Sequence, residues 1–310
     1  MKVLIFGASG FIGFPAAQAL VRAGHIVYGQ TRSQAKAQLL KTEESMIDST
    51  FIPIVCEPDS DAWHSLLPTL DAVIEALGGA ATKQVVAASV REAVASAAQQ
   101  FRPSHAPKLT YIYTSGCWVH GDNRSEIVTD TTPITKPVDL VAWRPDQEQA
   151  VIKHPALNGI VVRPVMLYGK SGSIFTSVFK RASEDRKVTW PGTPGGKLSL
   201  VHADDLADLY VRMTECAAIA GGKIFDAGND VLEDLDAFLR KLSQIAGLEG
   251  KYEYVKPTNA FEVAVSATVL ARPYLGRALL GWQPKKIGLT DGLEIYYESY
   301  LASMAETKNN

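Results

Sequence analysis

Cysteine is scarce in this chain: Cys56, Cys117 and Cys216 are three in 310 residues, odd in number and far apart. That excludes a disulfide framework and leads to the expectation of a reducing compartment, the cytoplasm. Long runs of one charge are absent as well. The formal net charge is -2 and no basic run occurs, which argues against nucleic acid or an anionic membrane as partner. No apolar stretch approaches the roughly 20 residues that a membrane span requires, and a strand pattern already begins at residue 2, so no apolar leader is expected ahead of the fold. Internal repeats and low-complexity tracts are also missing. What is abundant is apolar side chain, 46% of the residues, ample for one large or two modest domains.

Apolar, β-rich runs at 2–6, 26–30, 51–55, 72–77, 109–114 and 159–166 alternate with helical patterns, the clearest being Gln84–Gln100, which is closed by Pro103. Such alternation predicts an α/β fold, a Rossmann-type doubly wound parallel sheet covered on both faces. After Gly169 the pattern breaks into a turn-rich stretch around Pro191, Gly192, Pro194, Gly195 and Gly196.

The first strand runs into I-F-G-A-S-G-F-I-G, residues 5–13, followed by a small, apolar helical repeat up to Gly24. Gly7, Gly10 and Gly13 therefore stand at a strand-to-helix turn. Lacking a Cβ, Gly7 can take a tight turn, Gly10 lets phosphates approach the backbone, and Gly13 lets the helix lie close to its strand. Ser9, Phe11 and Ile12 complete the loop, whose free N–H groups face an anion. The expected ligand is a dinucleotide pyrophosphate.

The spacing GxxGxxG resembles the extended branch of the short-chain dehydrogenase/reductase superfamily, which includes NAD-dependent epimerases and dehydratases. Further segments carry the resemblance over nearly the whole chain: 71–76 followed by Gly78-Gly79, Y-I-Y-T-S-G-C-W-V-H-G at 111–121, R-P-V-M-L-Y-G at 163–169, V-H-A-D-D-L-A at 201–207 and L-G-W-Q-P at 280–284. It implies a dinucleotide-binding domain of residues 1–166 and 199–231, and a smaller, discontinuous substrate lobe of 167–198 and 232–310. It also implies cofactor contacts at Ala76, Leu77, Gly78, Thr114 and Pro164, and at Glu57 beside the adenine. Where NAD-preferring relatives carry an acid after the second strand, this chain has Thr31 and Arg32, with Ser33 and Lys36 near. An acid would repel a 2'-phosphate and Arg holds one bidentately, so the expected cofactor is NADP, with NAD the alternative. Arg32 as an ordinary surface cation is the competing view.

In that family, hydride transfer relies on a serine after strand five and a Tyr-x-x-x-Lys pair on the next helix. The phenol exchanges a proton with the substrate oxygen after its pKa is lowered from about 10. Here the segment reads V-D-L-V-A-W-R-P-D-Q-E-Q-A-V-I. One register puts Leu140 and Arg144 at the pair's positions, another Ala142 and Asp146, and neither supplies a phenol. Matching V-H-G at 119–121 to the family's V-Y-G puts Gly116 at the serine position, one place beyond Ser115. Ser115 then either holds the substrate oxygen or, with Thr114, satisfies backbone groups at the turn. His120 and Tyr168 are candidate proton donors, the former equally a structural histidine and the latter a packing residue. Arg144 is a candidate for holding a cofactor ribose or an anionic substrate. His202, Asp204 and Asp205 are read as a fold signature whose carboxylates cap the next helix, not as a metal site. Trp118, Trp143 and Trp190 either wall an apolar pocket or belong to the core. The polar segment 122–139 is either a rim of the active-site cleft or a plain loop.

The functional expectation is an NADP(H)-dependent oxidoreductase or epimerase/dehydratase-like enzyme of atypical catalytic site, acting on a small carbonyl or alcohol as monomer or homodimer. A non-catalytic NADP(H) sensor and a lyase or isomerase retaining a dinucleotide are the alternatives. Fold alone does not choose among them.

Overall fold

Along the first strand, β1 (Lys2–Phe6), Val3 and Ile5 face one core while Leu4 and Phe6 face another, and all four are fully buried. Side chains alternate across a strand, so such a run is stable only with packing on both faces. In the computed structural model, which describes residues 1–43, 50–78, 84–170 and 173–309, six further strands join it in one sheet. They are β2 (Ile26–Thr31), β3 (Phe51–Val55), β4 (Ala72–Glu75), β5 (Leu109–Thr114), β6 (Leu157–Pro164) and β7 (Ile224–Ala227). All pair in parallel in the order β7-β6-β5-β4-β1-β2-β3. The order reverses between β1 and β4, which opens a crevice at the carboxyl ends of these strands. Gly79 of the expected cofactor loop lies outside the described residues.

Helix α1 (Gly13–Arg22) buries Ala16, Ala17 and Leu20 on one face of the sheet. Helices α2 (Gln34–Thr42), α3 (Gln84–Phe101) and α4 (Arg144–Ile152) follow, and α5 (Ala203–Glu215) packs beside α1 through Leu206, Leu209 and Met213. On the other face, α3 presents Ala87, Val90, Val94 and Ala98, the three-and-four spacing of an amphipathic helix, to Leu4, Val73, Tyr111 and Tyr113. Full burial of a Val or Leu contributes about 1.5–3 kcal/mol each, so this two-sided sandwich fixes the strand order.

A third core lies beyond β6. Met166–Tyr168 pairs with Lys197–His202, which pairs in turn with Leu232–Asp234, and Phe175, Phe179, Trp190, Phe238 and Tyr300 pack around them. Of the stretch 199–231, Ile224–Ala227 joins the main sheet, whereas its first residues belong to this smaller one. Trp190 is 3% exposed and stacks on Phe175 at 5.9 Å, so it is a core residue and not a pocket wall. The segment 122–139 is not a plain loop, because Asn123–Val128 forms a strand against Val269–Ala271. Neither Asp204 nor Asp205 caps α5. The His202 imidazole does, accepting from the Asp204 N–H at 3.1 Å, while the Asp205 carboxylate accepts from the N–H groups of Lys285 and Lys286.

Candidate functional site

The glycine turn follows β1 directly. Gly7 has φ +77°, a left-handed conformation that disfavours a side chain, and its N–H donates to the Gln30 side chain at 3.0 Å. A Cβ on Gly13 would stand 2.2 Å from the Gly7 carbonyl oxygen, closer than any real contact. Gly10 N–H donates to Gly7 O and Phe14 N–H to Gly10 O, so helical bonding begins at Gly10. Phe11, Ile12 and Gly13 then have no carbonyl one turn back to receive their N–H groups, the arrangement that binds anions.

Over this turn lies a cleft of about 660 Å3. Gly7, Ser9, Gly10, Phe11 and Ile12 floor it, Ala76, Leu77 and Gly78 form one wall, and Thr31, Arg32, Ser33, Lys36 and Glu57 line its far end. Thr31 is buried, with its hydroxyl 3.1 Å from that of Ser9. Ser33 caps α2 by accepting from the Lys36 N–H. Arg32 is exposed and makes no ion pair among the described residues. Two expected cofactor residues stand apart from this cleft: the Thr114 hydroxyl lies 2.6 Å from that of Tyr210 in the core, and Pro164 lines the neighbouring hollow. Gln30 was not singled out from the sequence. It sits in the cleft and staples three strands, donating to Cys56 O while accepting from Gly7; a buried amide in an otherwise apolar strand was the available signal.

The neighbouring hollow, about 310 Å3, shares Phe11, Ile12 and Leu167 with the cleft. Ser115, Trp118, Leu140, Trp143 and Arg144 line it, together with Pro164, Met166 and Ile174. Leu140 and Arg144, one of the two registers for the catalytic pair, thus face one space. Arg144 opens α4, donates from Nη1 to Thr114 O at 3.1 Å and lies 5.1 Å over the Trp143 ring. Its buried Nε has no partner among the described residues.

Ser115 is tied into a buried chain of charge. Its hydroxyl donates to Glu148 at 2.5 Å, and Glu148 accepts from Arg163 Nε at 3.0 Å and Nη2 at 2.5 Å. The other guanidinium nitrogen of Arg163 lies 3.6 Å from Asp226, whose second oxygen takes the His120 Nε2–H at 2.8 Å. His120 is buried in this chain and does not line the hollow. Tyr168 is likewise remote: fully buried, it donates to Ile287 O at 2.9 Å. The structure therefore brings Ser115 and Arg144 together and leaves His120 and Tyr168 elsewhere.

Glu75, which sequence reasoning missed, ends β4 next to the cleft wall. Burial pushes its carboxyl up to about 7, against the opposing pull of the Tyr111 hydroxyl that donates to it and of Arg144 and Arg91.

The family model described as NAD dependent epimerase/dehydratase matches residues 3–228. The fold is similar to that of dTDP-glucose 4,6-dehydratase from Bacillus anthracis in complex with NAD, with TM-score 0.79, 13% identity and 97% of each chain covered. It is similar also to UDP-glucuronic acid 4-epimerase from Bacillus cereus in complex with NAD, with TM-score 0.76, 20% identity and 98% of this chain and 99% of that one covered. A third likeness is to UDP-glucose 4-epimerase with UDP-glucose from Thermotoga maritima, with TM-score 0.75, 16% identity, and 98% and 100% covered. Identities this low carry the fold and not the activity. No curated protein matches the chain.

Proposed function

The chain belongs to the NAD-dependent epimerase/dehydratase family, and from that premise we propose that it is an NADP(H)-dependent oxidoreductase acting on a small carbonyl or alcohol. The observation that carries the cofactor is the far end of the 660 Å3 cleft, where Arg32, Lys36 and Ser33 stand beside Thr31. A 2'-phosphate there meets a guanidinium, an ammonium and a hydroxyl. Gly7 and Gly10 admit the pyrophosphate to the backbone, and the N–H groups of Phe11 and Ile12 hold it. When bound, NADP(H) supplies the hydride chemistry. The chain's own part is to seat the substrate oxygen in the adjoining hollow, where Arg144 presents a fixed positive charge and Ser115, its proton donated to Glu148, presents lone pairs to a substrate alcohol.

We place the reacting end of the substrate between Leu167 and Ile174 of the smaller lobe, taken as 167–198 and 232–310, and the strand ends of 1–166. The three free cysteines fit a cytosolic setting. Among the described residues, no helix is long and apolar enough to cross a membrane.

A second reading, an NADP(H)-binding sensor without turnover, is favoured by one observation: among the described residues lining the cleft and the hollow, none is a tyrosine or histidine. The two readings separate in one assay. Consumption of NADPH, followed by absorbance against a panel of aldehydes and ketones, is expected with wild type and absent from Gly10→Val. NADPH binding with no consumption across the panel supports the sensor and overturns the oxidoreductase; an epimerase- or dehydratase-like enzyme, which returns its hydride, is then separated from the sensor by product analysis.

A further inference from the structure

We propose that the 310 Å3 hollow takes an apolar, ring-bearing carbonyl or carboxylate compound, its oxygen seated on Arg144, and does not take a nucleotide-sugar. The inference rests on the cofactor reading above and extends it to the substrate. Three features carry it.

The first is the wall. Phe11, Trp118, Leu140, Met166, Leu167 and Ile174 make most of the lining carbon. A sugar carries several hydroxyls, and each one buried there without a partner loses its water and gains nothing. Among the described residues Ser115 is the sole aliphatic hydroxyl in the lining, and it already donates to Glu148 at 2.5 Å.

The second is charge. A diphosphate is held by several cations or by a helix N-terminus, whereas among the described residues Arg144 is the only cationic side chain lining the hollow. One guanidinium suits one carboxylate or one carbonyl. Arg144 is also prepared for such a partner: Trp143 and Thr114 O fix its plane, its Nε is unpartnered, and no carboxylate pairs with it among the described residues.

The third is size and the mouth. The volume is about twice that of a cavity of roughly 150 Å3 that accepts benzene, room for one ring with a short side chain or two fused rings. At the rim, Phe261 stands edge-on to Trp118 at 6.0 Å, and it and Leu140 are 50% and 38% exposed. Such apolar surface beside a cofactor cleft is covered when a ring enters.

The test uses the full chain saturated with NADP+ and three probes: trans-cinnamate, cinnamyl alcohol and UDP-glucose, each titrated by calorimetry and by tryptophan fluorescence. Cinnamate is expected to bind and to quench Trp118 and Trp143, and UDP-glucose to leave both signals unchanged. Leu140→Asp, on an exposed turn, is expected to weaken cinnamate by about 10-fold or more with the thermal midpoint and NADP+ binding unaltered, because it sets a carboxylate against an anion in an apolar mouth. Arg144→Met is expected to cost cinnamate about 10-fold and cinnamyl alcohol less than about 3-fold. UDP-glucose binding more tightly than cinnamate overturns the proposal, as does cinnamate binding indifferent to both substitutions. Should NADP+ itself fail to bind, the cofactor reading falls, and cinnamate binding that still responds to Leu140→Asp sustains the assignment of the hollow.

Discussion

The two ends of the site are built in opposite ways. At the cofactor end the backbone does the work: Gly7 holds a left-handed turn, Gly13 lies against the Gly7 carbonyl, and Arg32 and Lys36 are left exposed at the far wall. At the substrate end side chains do it, and most are already committed to one another. Ser115, Glu148, Arg163, Asp226 and His120 form one buried series of hydrogen bonds and ion pairs, whereas Arg144 stands outside it with a buried Nε that has no partner among the described residues. A site of the first kind is fixed by local geometry, and one of the second kind depends on every member of its network.

That contrast is broken most severely at Arg163. Removing this cation in Arg163→Met leaves Glu148 and Asp226 buried with only the Ser115 hydroxyl and the His120 imidazole as side-chain partners, at a cost of about 3–5 kcal/mol in urea unfolding. Any fraction that stays folded is expected to retain NADP+ binding, since the glycine turn makes no contact with the network. A loss below about 1 kcal/mol shows the buried chain to be incidental.

Glu75 sharpens the boundary between the two ends. Its ordinary carboxyl value of 4.5 is raised to about 7 in the folded protein. Below pH 4.5 both folded and unfolded states hold the proton, and the fold carries no penalty. Between there and about pH 7 the unfolded chain releases a proton that the folded one keeps, so stability falls as pH rises, by up to about 3 kcal/mol, and then levels off. Glu75→Gln keeps an acceptor for Tyr111 and lacks this decline. The difference between wild type and variant, measured by urea unfolding at pH 5 and pH 8, cancels the other titrating groups. A pH-independent difference contradicts the assignment.

The same contrast explains what the sequence disclosed. Gly7, Gly10 and Gly13 are legible because a turn that tolerates no Cβ is a constraint within nine residues. The six predicted strands reappear within two residues of their expected bounds, because strands of a covered parallel sheet leave apolar runs. His120 pairs with a residue 106 positions away and Ser115 with one 33 away, so nothing local announced that the histidine is sequestered or that the serine is already bonded. Tyr168 looked available as a phenol, yet its hydroxyl is spent on Ile287 O, 119 positions on. The strand at 123–128 was hidden for the same reason, since its partner is 269–271 and its first four side chains are polar. Glu75 was visible only as a carboxylate out of place in an apolar strand.

The measurement that bears most directly on the cofactor end is a calorimetric titration of NADP+ and of NAD+ into wild type and Arg32→Ala. NADP+ is expected to bind wild type about 10-fold more tightly than NAD+, the worth of a charge-assisted contact to the 2'-phosphate. Arg32→Ala is expected to close that gap by weakening NADP+ alone. Equal affinities in wild type, or a preference that survives the loss of Arg32, contradicts the account.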